Sequence, residues 1–124
     1  LLPTEIQAGW PDLWADYVSG ADVQRPGGET WRAVADRVVP IADLLLGEEG
    51  VCVVATHSGP TLVLALWAAG IAQEGNIFLS GFGAPHNSSV TVIAPGPRLV
   101  AYNDAGHVAG LPDLRLPFSP VRKP

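Results

Sequence analysis

Methionine is absent from all 124 residues, and the chain opens Leu1-Leu2-Pro3. A translated reading frame starts with Met, and a bulky Leu in second place is a poor context for removing it. The expectation is that Leu1 is an internal point of a longer polypeptide. Cysteine is almost as scarce. Cys52 stands alone, which excludes an intrachain disulfide framework and fits a reducing compartment. Charge is thin at 15% of residues, with 12 acidic against 7 basic side chains and a net charge of −5. With no basic stripe to release counterions, neither a nucleic acid nor an anionic membrane is an expected partner. The longest nearly unbroken apolar run, Leu62 to Ala72, is too short to span a bilayer, and no basic-then-apolar signal segment opens the chain. What is abundant is apolar residues, at 48%, too many for a disordered segment. The composition predicts a soluble, acidic, cytoplasmic domain, or part of a larger one.

Helical periodicity comes first along the chain. Pro3 to Ala8 and Pro11 to Val18 each carry Pro at a plausible first-turn position, and Leu13, Trp14, Tyr17 and Val18 fall at helical spacing. Gly20 to Gly28 reads as a loop. From Glu29 onward, Trp31, Val34, Ala35, Val38, Ile41, Ala42 and Leu45 form one apolar helical stripe, with a kink expected at Pro40 and an end at Gly47 and Gly50. Val51-Cys52-Val53-Val54-Ala55-Thr56 is apolar at every position but the last. It predicts an interior strand of a parallel sheet covered on both faces, with Cys52 an inert core residue. His57 to Pro60 is read as a turn, and Thr61 to Ala69 as a helix ending at Gly70. Ser89 to Ala94 and Leu99 to Tyr102 read as strands of a hairpin turned by Pro95-Gly96-Pro97, and residues 111–124 as an extended Pro-rich tail. The order of elements predicts an α/β layer architecture.

The strongest chemical signal is the succession of strand, His57-Ser58-Gly59-Pro60 and helix. In open α/β sheets ligands bind beyond the carboxyl ends of strands, and a helix N-terminus there offers free amides and a positive partial charge suited to phosphate. The expectation is that His57 lines the main polar cleft, where an anion would meet His57 and the amides near Ser58. The plain alternative is a His that caps the strand and bonds a backbone carbonyl. Glu29, in the first turn of the long helix, is favoured there by the helix dipole whatever the function. His57, His86, His107 and Asp104 lack the spacing of a metal site, so no metal and no cofactor is expected.

Three segments in order resemble the histidine phosphatase superfamily, in its phosphoglycerate-mutase-like branch. Pro26-Gly27-Gly28-Glu29-Thr30-Trp31, with Val34 and Arg37, is similar to the family's Gly-Glu-Ser…Arg helix start. Val53-Val54-Ala55-Thr56-His57-Ser58-Gly59-Pro60 is similar to its Val-Val-Thr-His-Gly-Gly element around the second catalytic histidine. Asn87-Ser88-Ser89-Val90-Thr91, then Tyr102-Asn103-Asp104 and His107-Val108, is similar to its closing Asn-x-Ser and Tyr-Asn-Asp…His-Leu pattern. Thr4-Glu5-Ile6 with Trp10-Pro11 and Trp14 fits the stretch after the family's Glu-Gly acid motif. The resemblance runs to about His107 and implies a domain over residues 1–110.

That resemblance implies a three-layer α/β fold, a mostly parallel sheet with helices on both faces, incomplete at the N-terminus. It implies hydrolysis of a small phosphorylated metabolite through a phosphohistidine, by a phosphatase in preference to a mutase. His57 is then catalytic and phosphate-binding, Ser58 is phosphate-binding through its amide, and Glu29, Arg37, Asn87 and His107 support the residues that touch the phosphate or serve the fold alone. The departures are specific. The Arg-His-Gly tripeptide that carries the family's nucleophile does not occur, and Ser58 stands where glycine is commonest. In the family the nucleophile's strand pairs beside the strand assigned to Val51–Thr56. The chain by itself is therefore expected to be inactive, and to be poorly folded or completed by an upstream segment, a partner chain or a homo-oligomer. Two alternatives stand beside this reading. One is a catalytically dead truncated domain kept for binding or assembly. The other is a serine hydrolase using Ser58 with Asp104 and His107, although both glycines of the nucleophile elbow are missing.

Overall fold

Helix capping accounts for where the early elements begin. The structure is a computed structural model that describes residues 3–111. Helices α1 (Pro3–Gly9) and α2 (Pro11–Ser19) both start at proline, which loses nothing by lacking an amide proton in the first turn. Neither contains a fully buried residue. Helix α3 (Trp31–Leu46) is capped twice. Thr30 Oγ1 accepts from the Ala33 amide at 3.1 Å, and the Asp22 carboxylate accepts from the Trp31 and Arg32 amides at 2.6 and 2.9 Å. Three of the four amides that an α-helix leaves unbonded at its start are thus satisfied. The helix runs on through Pro40 to a C-cap at Gly47.

Helix α4 (Ser58–Ala68) is the centre of the molecule. Leu62, Val63 and Ala65 are completely buried and Leu66 nearly so, because α3 packs on one side of the helix and a β-hairpin on another. A helix apolar around its circumference requires such enclosure. Val34 and Ala35 of α3, with Ile77 from the 3-10 turn Ile77–Leu79, complete the core, flanked by Trp31, Val38, Phe78, Phe82 and Tyr102. The hairpin comprises β1 (Val90–Ala94) and β2 (Arg98–Asp104), antiparallel with Val90 opposite Asp104 and Ala94 opposite Arg98. It turns at residues 95–97 as expected.

The predicted sheet is not found. The described residues form four α-helices and a two-stranded antiparallel sheet, which does not fit a mostly parallel three-layer fold incomplete only at its N-terminus. The reason lies in Val51–Thr56. A parallel sheet needs a ladder partner for that segment, and among the described residues it has none, nor any helix covering it. Val51 and Val53 are each 92% exposed and Val54 59%. Cys52, expected in the core, is exposed as well. The apolar stripe of α3 is likewise buried only in its first half, and Ile41 lies open with Leu44 beside it. Helix α4 also begins a turn earlier than expected, so residues 58–60 are helical. The expected tail, from residue 112 onward, lies outside the described residues.

Candidate functional site

His57 is the N-cap residue of α4, with extended backbone (φ −96°, ψ 168°) and an exposed side chain that makes no capping hydrogen bond. Its carbonyl accepts from the Thr61 amide at 3.1 Å and from Thr61 Oγ1 at 2.9 Å, which closes the first turn behind it. Pro60 has no amide proton to place. The amides of Ser58 and Gly59 have no acceptor among the described residues. The two long helix starts therefore differ in kind. That of α3 is filled by the protein's own Asp22 carboxylate, and that of α4, with Ser58 exposed and Gly59 buried beneath Trp31, has no carboxylate partner among the described residues.

Gly59 explains how the open end is held. A Cβ there would lie 2.7 Å from Cζ3 and 3.1 Å from Cη2 of Trp31, so the absence of a side chain lets the indole rest against the helix. Trp31 also meets Phe78 edge-on at 5.2 Å, and the Arg25 guanidinium sits 6.0 Å from its ring centre. The first turns of α3 and α4 are thereby brought side by side.

Glu29 and Arg37 form a two-pronged ion pair at 2.8 and 2.9 Å across the first two turns of α3. The hydrogen bonds from Arg37 hold the Glu29 carboxyl below its ordinary range, and Glu29 raises Arg37 in turn. Both side chains are exposed, so the pair is a solvated surface contact. Asn87 is exposed in a tight turn, and its neighbour His86 donates its amide to Asn103 Oδ1 at 2.6 Å. Asn103, left-handed at φ 57°, also takes Thr91 Oγ1 as acceptor for its own amide at 3.3 Å. That asparagine, rather than Asn87, ties the loop to β2. His107 is exposed in the short 3-10 turn Gly106–Val108. The open groove between residues 32–40 of α3 and the end of α4 is lined by Val39, Pro40, Trp67 and Ile71 and does not include His57.

The structure thus joins Glu29 to Arg37 and brings the starts of α3 and α4 together. No hydrogen bond joins His57, Asn87 and His107 to one another among the described residues. Ser58 Oγ has no histidine partner, and the Asp104 carboxylate accepts from the Gly106 amide at 2.9 Å instead of serving His107, so no serine triad is assembled. Among the described residues no three of His, Cys, Asp and Glu converge to hold a metal ion.

The profile of the histidine phosphatase superfamily (branch 1) matches residues 1–105. The chain belongs to the histidine phosphatase superfamily. The match takes in Glu29, Arg37, His57, Ser58 and Asn87 and stops short of His107. No curated protein and no solved structure matches the chain. Membership in the histidine phosphatases supports phosphatase- or mutase-type chemistry in general terms. Sequence reasoning missed Asp22 and Trp31 as the residues that shape the two helix starts. A carboxylate nine positions before the amide it caps leaves no periodic signal, and Trp31 was legible only as one more apolar residue of a stripe.

Proposed function

We propose that this chain supplies the second-histidine side of a phosphate site that acts on a small phosphorylated metabolite. The observation that carries the reading is the open start of α4. The His57 ring and the free amides of Ser58 and Gly59 lie next to one another, on the helix end that no carboxylate of the described residues occupies. A helix N-terminus favours an anion by its partial positive charge, and an imidazole that donates a hydrogen bond adds a directed contact to a phosphoryl oxygen. In phosphoryl transfer the charge spreads over the equatorial oxygens, and donors fixed around them stabilise the transition state. His57 and the two amides are suited to that part of the work.

Attack on phosphorus needs a nucleophile, and the Arg-His-Gly tripeptide that provides it in the resemblance does not occur in these residues. We assign the phosphohistidine to a segment other than this chain, and hydrolysis in preference to mutase transfer. The absence of that tripeptide equally favours a binding or assembly role, so the two readings part on turnover once a segment carrying the Arg-His-Gly motif is supplied. The lone thiol of Cys52 supports a reducing, cytoplasmic compartment as part of the same proposal. Among the described residues no helix is long and apolar enough to cross a membrane.

The test is a titration with inorganic phosphate followed by amide NMR. The Ser58 and Gly59 resonances are expected to move at millimolar phosphate in the native chain and to stay still in His57→Ala. Equal shifts in the two proteins would overturn the site. In parallel, p-nitrophenyl phosphate should not be turned over by the chain alone. Turnover would mean that the nucleophile lies within these residues.

A further inference from the structure

The loop between α2 and α3 carries a cation held by rings. Arg25 sits where the chain turns back on itself, its carbonyl accepting from the Gly28 amide at 2.9 Å while Gln24 Nε2 donates to the Gly28 carbonyl at 3.1 Å. Its guanidinium carbon lies 5.6 Å from the Tyr17 ring centre and 6.0 Å from that of Trp31, so α2 and α3 each supply a ring to the same group. Contact with ring faces steadies a guanidinium and leaves its N–H donors unspent. The arginines of α3 differ in this respect. Arg32 is paired with Asp36 at 3.1 Å and Arg37 with Glu29 at 2.8 Å. Asp22, the acid nearest to Arg25 in sequence, already accepts from the Trp31 and Arg32 amides.

The position of that cation follows from Trp31. The indole that meets Arg25 is the one that rests against Gly59. One ring therefore stands between the guanidinium and the first turn of α4, two residues from His57. The indole keeps Arg25 off a phosphoryl group seated at His57, so its donors fall to the rest of the bound molecule.

We infer that Arg25 is a substrate-binding residue, which takes a second oxyanion of the molecule whose phosphoryl group lies at His57. The inference rests on the phosphate reading of His57 and adds the substrate class to it: a phosphomonoester that also carries a carboxylate or a second phosphate. The planar fork of a guanidinium matches either group through two parallel hydrogen bonds. Charge agrees. On a chain of net charge −5, a ligand with two anionic groups is repelled overall, and a cation fixed beside the site offsets that repulsion.

Three ligands followed by amide NMR test it. Propyl phosphate carries one oxyanion, while carboxyethyl phosphate and propanediol bisphosphate carry a second on a chain of similar length, as carboxylate or as phosphate. The native chain is expected to bind at least one of these two about tenfold more tightly than propyl phosphate, and the tighter of them names the group. Arg25→Gln should abolish the preference. Arg25→Lys, a point charge without the fork, should keep part of it, and His57→Ala should weaken all three ligands. No preference in a native chain that binds propyl phosphate, or a preference that survives Arg25→Gln, would overturn the inference and leave the His57 site standing. Loss of propyl phosphate in Arg25→Gln and Arg25→Lys alike would also overturn it, because Arg25 would then serve the fold. A native chain that binds none of the three would overturn the His57 reading and this inference with it.

Discussion

Gly59 is the residue on which the neighbourhood of His57 depends most. Adding a single methyl group there drives Cβ into the Trp31 ring at 2.7 Å, and the ring is already fixed by Phe78. Gly59→Ala is expected to destabilise the chain by about 1–3 kcal/mol, the usual range for overpacking. Urea unfolding would show it as a lower midpoint, and adding Trp31→Leu should recover part of the loss by making room. At the surface, Glu29 makes a different kind of statement. Its pKa is depressed by the hydrogen bonds from Arg37 and by the charge they carry, so the pair's contribution is present above the ordinary carboxylate range. It fades as pH falls through the lowered value of Glu29 in the folded chain. Carboxyl NMR should find Glu29 titrating below a free glutamate in the native chain, and rising toward it in Arg37→Ala. The resemblance gives these two positions a supporting role, and in the structure each has the other as its hydrogen-bond partner.

Helix α3 shows how much of an element its own sequence can carry. Its bounds, its apolar stripe and the presence of Pro40 were all legible from spacing alone. The burial was not, because burial belongs to whatever packs against a stripe, and only the half carrying Val34 and Ala35 meets α4. Pro40 is exposed inside this helix and offers no amide to the Asp36 carbonyl one turn back. Pro40→Ala should therefore stabilise the chain, by about 1–3 kcal/mol given the cost of proline in a helix interior. Thermal unfolding checks this, and an unchanged or lower melting temperature would mean that the helix has already adjusted around the ring. Helix α4 was legible as apolar, but its start was placed too late. The pair Gly59-Pro60 reads as a turn signal, yet a proline in the first turn of a helix is equally at home.

At the scale of the molecule, the helices and the hairpin follow the local sequence, while the strand expected at 51–56 and the parallel sheet around it are not found among the described residues. The β-branched run at 51–56 spells a strand residue by residue, but a sheet is a property of partners, and none of the described residues provides one. The candidate site was legible as His57 beside a helix start. What made that start different from its neighbour, the Asp22 carboxylate nine residues from the Trp31 amide it caps, depends on the path of a loop. That same loop has a mechanical side. Helices α1 and α2 bury no residue completely, and two carbonyls at the end of α2, those of Tyr17 and Gly20, hang on the buried Asn76 through its side chain at 3.2 Å and its amide at 2.8 Å. Gly75, left-handed at φ 66°, comes so near the Gly20 carbonyl that a side chain there would collide with it. Asn76 acts as a latch and residues 21–28 as a leash. The latch fastens the end of α2 to the turn that enters the core, and Asp22 fastens the leash to the start of α3.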